Sequence, residues 1–229
     1  MLRQGFEQKQ QHLRDDVLVL GSYVELALMD SVQVIEQRDH QRAQHLIKNN
    51  RNINRKCGSI QSNILSLLAT QQPMAGDLRY LAAMLQIALE LERVSDHAKE
   101  IAQVNLKLRE KTLICPLDDI KYMAKLAGKM LNRALEAFAR QNVDLARAVP
   151  YQDDEIDGLY LRIHQQVLTA TQADPDIIAQ VIYLSHVGHH LERVGDRATN
   201  ICEWVVFVVT GQMKELNVNQ LPVPNYLAL

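Results

Sequence analysis

The sequence predicts an all-α chain of two tandem antiparallel three-helix bundles related by internal duplication. Three observations predict it. Glycine (9) and proline (6) make 15 of 229 residues, against a usual share of roughly 12%, so few positions break a helix. Aromatic residues are only 5%, which leaves little of the composition that favours sheets. An eleven-residue stretch also recurs. Leu91-Glu92-Arg93-Val94-Ser95-Asp96-His97-Ala98-Lys99-Glu100-Ile101 returns as Leu191-Glu192-Arg193-Val194-Gly195-Asp196-Arg197-Ala198-Thr199-Asn200-Ile201, identical at seven positions at an offset of 100.

Turn signals divide the chain into six segments. The breaks fall at Arg38-Asp39, Gln71-Gln72-Pro73-Met74-Ala75-Gly76, Cys115-Pro116, Gln141-Asn142 and Ala173-Asp174-Pro175, where Gly, Pro, Asn and Asp suit turn backbone. In the first segment Leu13, Val17, Leu20, Val24 and Leu28 recur at helical spacing and form one apolar stripe. The second, from Asp39 to Gln71, aligns with the fifth when Ala43 is set on Ala146 and Ile53 on Ile156. The third carries Met84, Ile87, Leu91, Val94, Ala98 and Ile101, and the fourth Ile120, Met123, Ala127, Met130, Ala134 and Phe138. The fifth has Ile156, Leu159, Ile163 and Val167 on one stripe, with Pro150 inside it; that proline lacks a backbone donor and should kink the helix. The sixth repeats the third with Leu184, Val187, Leu191, Val194, Ala198 and Ile201. Its end, Trp204 to Val209, is apolar all round, which favours burial in the interior over a dimer or partner contact at that end, while the chain as a whole is expected to form a homodimer. The expected domains are residues 5–112 and 116–211, each a three-helix repeat, and an irregular tail at 212–229 holding Pro222 and Pro224.

Charge excludes some functions. Lys and Arg number 25 and Asp and Glu 27, a net charge of -2, without the basic excess that a nucleic-acid binder needs. No apolar run reaches 18 residues, and the start, MLRQGFEQKQQHLRDD, has no apolar core, so neither a spanning helix nor a signal peptide is expected. Cys57, Cys115 and Cys202 lie far apart with no CxxC, which predicts free thiols in a reducing cytoplasm. There is no GxSxG, glycine-rich phosphate loop, HExxH or pair of ExxH motifs, so no enzyme is predicted.

The duplicated stretch does offer oxygen ligands. A helix advances 100° per residue, which sets Glu92 and Asp96, and likewise Glu192 and Asp196, one turn apart on the face opposite the core stripe. Glu100 extends the first row, and Asn200 and Glu203 the second. Carboxylates at i and i+4 repel by a few tenths of a kcal/mol, and a hard cation reverses the sign. The fifth segment adds Asp153 and Asp157 at the same spacing. An adjacent antiparallel helix would bring all four acids, Asp153, Asp157, Glu192 and Asp196, to one surface patch. In the first repeat the alignment puts Asn50 and Asn54 at the positions of Asp153 and Asp157, so Glu92, Asp96 and Glu100 should bind a cation more weakly.

Other polar residues have plainer roles. Asp77, in the first turn after Pro73, suits a helix dipole, and with Arg79 it is either a local ion pair or a partner contact. His189, His190 and His164 are expected as surface histidines, with zinc or iron ligation the alternative; His97 is expected simply to be exposed.

Together these residues resemble the PhoU family, the phosphate-specific transport system accessory proteins. The likeness covers about residues 5–211 and is carried by Gln72-Pro73-Met74-Ala75-Gly76-Asp77-Leu78-Arg79, Glu92-Arg93-Val94-Ser95-Asp96 and Leu191-Glu192-Arg193-Val194-Gly195-Asp196. The resemblance implies a cytoplasmic regulator without catalysis. It implies contacts with the phosphate ABC transporter ATPase and a phosphate-sensing histidine kinase, damping uptake and the phosphate-starvation genes. It further implies iron or zinc clusters on paired E(D)xxxD motifs, of which the intact pair here is Asp153/Asp157 with Glu192/Asp196. The alternatives are a metal-dependent phosphohydrolase on the clustered carboxylates and an accessory to a different phosphate carrier.

Overall fold

The computed structural model describes residues 2–108, 117–173 and 178–216. The breaks expected at Cys115-Pro116 and Asp174-Pro175, the side chain of Val167 and tail residues 217–229 lie outside the described residues. Among the described residues there are seven helices and no strand. The first repeat is α1 (Leu2–Gln37), α2 (His40–Gln71) and α3 (Gly76–Lys107). The second is α4 (Asp118–Arg140), α5 (Val143–Ala148), α6 (Asp153–Ala173) and α7 (Ile178–Thr210).

Equivalent turns use equivalent chemistry. After α1, Arg38 turns left-handed at φ 55°, and Asp39 caps α2 by accepting a hydrogen bond from the Arg42 N–H at 2.8 Å. After α4, Gln141 turns left-handed at φ 49°, and the Asn142 side chain accepts from the Leu145 N–H at 3.0 Å. Each cap satisfies one orphan donor of a first turn. The repeats then diverge. Helix α2 runs unbroken, whereas its counterpart stops at Ala148, tightens into a 3-10 turn at Pro150–Gln152 and resumes at Asp153. Pro150 is buried at the start of that turn; its missing N–H and its ring interrupt the ladder there, so Asp153 opens a new helix.

The predicted stripes of α3 and α7 are buried throughout. They do not close two separate cores: one continuous cluster of buried side chains runs from Phe6 in α1 to Val206 in α7. Tyr80 of α3 stacks on Phe138 of α4 at 5.5 Å between ring centroids, and Gly21 of α1 admits Leu135 of α4 where a Cβ would collide. Helices α3 and α7 pack against each other antiparallel, since residue 90 meets 197 and residue 97 meets 190. Each fully buried Leu, Ile or Met contributes about 1.5–3 kcal/mol, so this shared core ties the repeats together. At the end of α7, Val205 and Val206 are buried, Trp204 and Val208 pack on the core, and Val209 is exposed. Interior packing thus covers most of that apolar run.

A window of α1 reaches a mean hydropathy of 1.5, long and apolar enough by composition to cross a membrane. The residues of its predicted stripe, Leu13 to Leu28, are buried against the bundle, as in any core helix.

Candidate metal centre

The second repeat brings its two acidic pairs together where α6 packs along α7. Asp153 is only 3% exposed, and its Oδ1 sits against Gly195 so closely that a Cβ there would collide with it. Asp157 is raised above the ordinary carboxylate range, first by burial and then by the charge of Asp196. Glu192 is pushed up to about 7, by burial first, then by Asp196, with Asp157 and Asp153 adding to it. Its Oε2 is out of water and accepts no hydrogen bond, 3.6 Å from His189 Nδ1. Arg193 offsets part of the charge by pairing with Asp196 at 2.9 Å. Asp153 is therefore buried and the other three acids are half-buried between two helices rather than displayed outward, because α6 covers the flank of α7.

Sequence reasoning missed one further member, Tyr160, and gave ligation by His164 only as the alternative to a surface role. Tyr160 lies three residues after Asp157, and its ring touches those of His164 and His189. Gly188 leaves it room, with a Cβ there meeting Tyr160 Cδ2 at 3.2 Å. His164 Nδ1 is buried without a hydrogen-bond partner. The positions 153, 157, 160 and 164 share one helical face, and that spacing was the available signal. Among the described residues, no three His, Cys, Asp or Glu side chains stand close enough together to hold an ion as they are. The donor set still suits a hard or borderline cation: four carboxylates, one of them with a buried oxygen that accepts nothing.

The equivalent corner of the first repeat is built differently. Buried Asn50 donates to Ser95 Oγ at 3.0 Å, and Ser95 donates to the Glu92 carbonyl at 2.8 Å. Cys57 takes the place of Tyr160; its thiol is 3.1 Å from the Ala88 carbonyl and 3.4 Å from Glu92 Oε2. Burial and the Glu92 charge push that thiol up to about 12, so it stays protonated and unreactive. Asp96 pairs with Lys99 at 3.2 Å, and Lys99 also stands 3.6 Å from Glu100. Here two acids face two amides and carry their own cation.

The outlying candidates go elsewhere. Asn200 donates to Glu90 Oε2 on α3 at 3.4 Å. Glu203 accepts from the Leu216 N–H at 2.9 Å, beyond the end of α7. Arg79 lies over Gly211 at the same end, its guanidinium 3.7 Å from where a Cβ would stand, while Asp77 sits in the first turn of α3. His97 is not simply exposed: α3 packs on α7, and His97 Nδ1 stands 3.1 Å from His190 Nδ1. Burial, with His190 and Arg197 nearby, holds His97 down at about 4.

The Glu192 shift makes a prediction. A carboxyl raised from 4.5 to about 7 in the folded state adds stability below its unfolded value and loses it as pH rises through about 7. In metal-free protein the Glu192 side-chain carboxyl carbon should titrate near neutrality by NMR. A midpoint under about 5, the ordinary carboxylate range, would show that Glu192 is neither desolvated nor repelled by its neighbours.

Comparison with known proteins extends these observations. The sequence profile of the PhoU domain matches twice, at residues 17–104 and 120–205. A relative from Clostridium acetobutylicum, described as a phosphate-specific transport system accessory protein PhoU homolog, is 32% identical over 218 residues. That match covers 95% of this chain and all of the relative. The crystal structure of PhoU from Pseudomonas aeruginosa superposes with a TM-score of 0.86 at 30% identity, covering 90% of this chain and 100% of that one. The phosphate transport system regulatory protein PhoU from Streptococcus pneumoniae gives 0.85 at 27% identity, over 91% and 99% of the two chains.

Proposed function

The chain belongs to the PhoU domain family, and from that premise we propose that it is an accessory protein of a phosphate-specific transport system, acting in the cytoplasm to damp phosphate uptake and the phosphate-starvation response. It does so by contacting the ATPase subunit of the phosphate ABC transporter and a phosphate-sensing histidine kinase. The observation that carries this reading is end-to-end correspondence: the Clostridium accessory protein is matched over its whole length by 95% of this chain. The turn before α3 suits a contact with such a partner. Gln72 and Ala75 both hold positive φ, 46° and 48°, and Met74 between them is 80% exposed. Strained, protruding turns of this kind are where binding residues concentrate. Co-purification tests the proposal. The chain should retain the transporter ATPase and the kinase at high phosphate, and absence of both at any phosphate level would overturn it.

We also assign the patch of Asp153, Asp157, Glu192 and Asp196 to an iron or zinc ion or cluster. A bound cation would relieve the mutual repulsion and give the buried Glu192 oxygen a partner, and small side-chain rotations would be needed to close the ligands on it. Asp196→Ala should lose that metal while the helix content is unchanged, because the residue lies off the core stripe. Elemental analysis of protein purified without chelator decides this; equal metal in wild type and variant would refute it.

A further inference from the structure

The antiparallel packing of α3 on α7 relates the repeats by an approximate two-fold, so each contact between these helices occurs twice with different residues. At one end Glu90 of α3 accepts from Arg197 at 3.3 Å and from Asn200 at 3.4 Å on α7. At the other end the same three positions, displaced by 100, hold His190 on α7 and His97 and Glu100 on α3. The first end is a carboxylate closed by the chain's own guanidinium and amide. The second puts two imidazoles and a carboxylate in those places, with no guanidinium between them.

We propose that this second end is a metal site distinct from the acidic patch, in which His97 and His190 bind one borderline divalent cation such as Zn²⁺ through Nδ1 and so clamp the two repeats together. Geometry carries it. The two Nδ1 atoms face each other at 3.1 Å, with ring centroids 5.4 Å apart. Two nitrogens bound to one zinc at about 2.0–2.1 Å stand roughly 2.9 Å apart at a right angle and roughly 3.3 Å apart in a tetrahedron. The observed spacing falls between those limits, so both rings can chelate one ion with little movement. Without metal, the contact holds at most one proton between two nitrogens, and burial shifts both rings toward the neutral form, the direction that ligation requires.

Glu100 supplies the third group. It acts on His190 electrostatically, as its counterpart Asn200 touches Glu90, and among the described residues Gln103 at 3.4 Å and Lys99 at 3.6 Å hold it. A rotation of this half-buried side chain closes it on the ion, and water completes the set. The nearby cations are largely compensated: Arg193 by Asp196, Arg197 by Glu90 and Lys99 by Asp96, leaving Lys107 on the side of His190.

The test is Zn²⁺ alone added to chelator-stripped full-length protein with ¹⁵N-labelled histidine. The Nδ1 resonances of His97 and His190 should move together, at a stoichiometry of one. His97→Gln and His190→Gln should each lose one equivalent of bound Zn²⁺, and Asp157→Ala, which alters the acidic patch alone, should leave the histidine response in place. Nδ1 signals that stay put at excess Zn²⁺ in the wild type, or full Zn²⁺ stoichiometry in His97→Gln, would overturn the site. The wild-type spectrum is decisive even if a variant folds poorly. A negative result leaves the acidic patch and the phosphate reading untouched, since neither uses these rings.

Discussion

Glu90→Ala is expected to destabilise the folded chain by about 3–5 kcal/mol, the cost of removing one partner from a buried ion pair. Glu90 is 4% exposed and collects three donors: Arg93 at 2.6 Å, Arg197 at 3.3 Å and Asn200 at 3.4 Å. Arg93 is mostly in solvent, so its bond is screened and weak. Arg197 is different, because its side chain is 15% exposed and its Nε is buried without a partner. Removing the carboxylate leaves a guanidinium charge in the seam between the repeats with nothing to balance it. The pair itself need not stabilise more than apolar side chains of the same size would, so Glu90→Leu with Arg197→Met should recover much of the loss. Urea melts of the two single variants and the pair measure this as a cycle. A loss under about 1 kcal/mol, the scale of a surface pair, would show that water reaches the seam.

That seam was not legible in the sequence, and the reason is physical. Periodicity assigns Met84, Leu91 and Leu191 to a buried stripe, and all three are buried. It gives the direction of each face but not which helix covers it. Glu90 and His97 lie beside the core stripe, where a lone helix would leave them in water. Only the packing of α3 on α7 buries Glu90 and faces His97 with His190. Duplication at an offset of 100 announced that two helices were alike, without saying that they would pack on each other. The acidic patch was more legible. Acids at i and i+4 on α6 and α7 needed only that the two be neighbours, which short connections within one repeat favour. What stayed hidden there was burial, since Asp153 packs into the space that the missing side chain of residue 195 leaves open.

The pairing of Asp153 with Gly195 gives the second large effect, and the first repeat supplies the control. Gly195→Ser should stabilise an isolated helix by about 0.5 kcal/mol, since serine is the better helix former. In this protein it is expected to destabilise by about 1–3 kcal/mol, the range for overpacking a filled interior, because the new Cβ collides with Asp153 Oδ1 and meets Ile156 Cδ1 at 3.3 Å. The clash outweighs the propensity. The first repeat places Asn50 and Ser95 at these same positions, with the amide donating to the hydroxyl at 3.0 Å. Adding Asp153→Asn to Gly195→Ser therefore rebuilds a pair that the fold already contains, and should recover more than half of the loss. It also removes one of the charges that raise Glu192, so in the double variant that carboxyl should titrate lower than in the wild type. Thermal melts and the Glu192 titration report the two effects separately. If Gly195→Ser is as stable as wild type, Asp153 does not need the space, and its burial has some other cause. If the double variant is no better than Gly195→Ser alone, the two corners are not interchangeable, and the difference between the repeats reaches beyond the pair into the Pro150 break that positions Asp153.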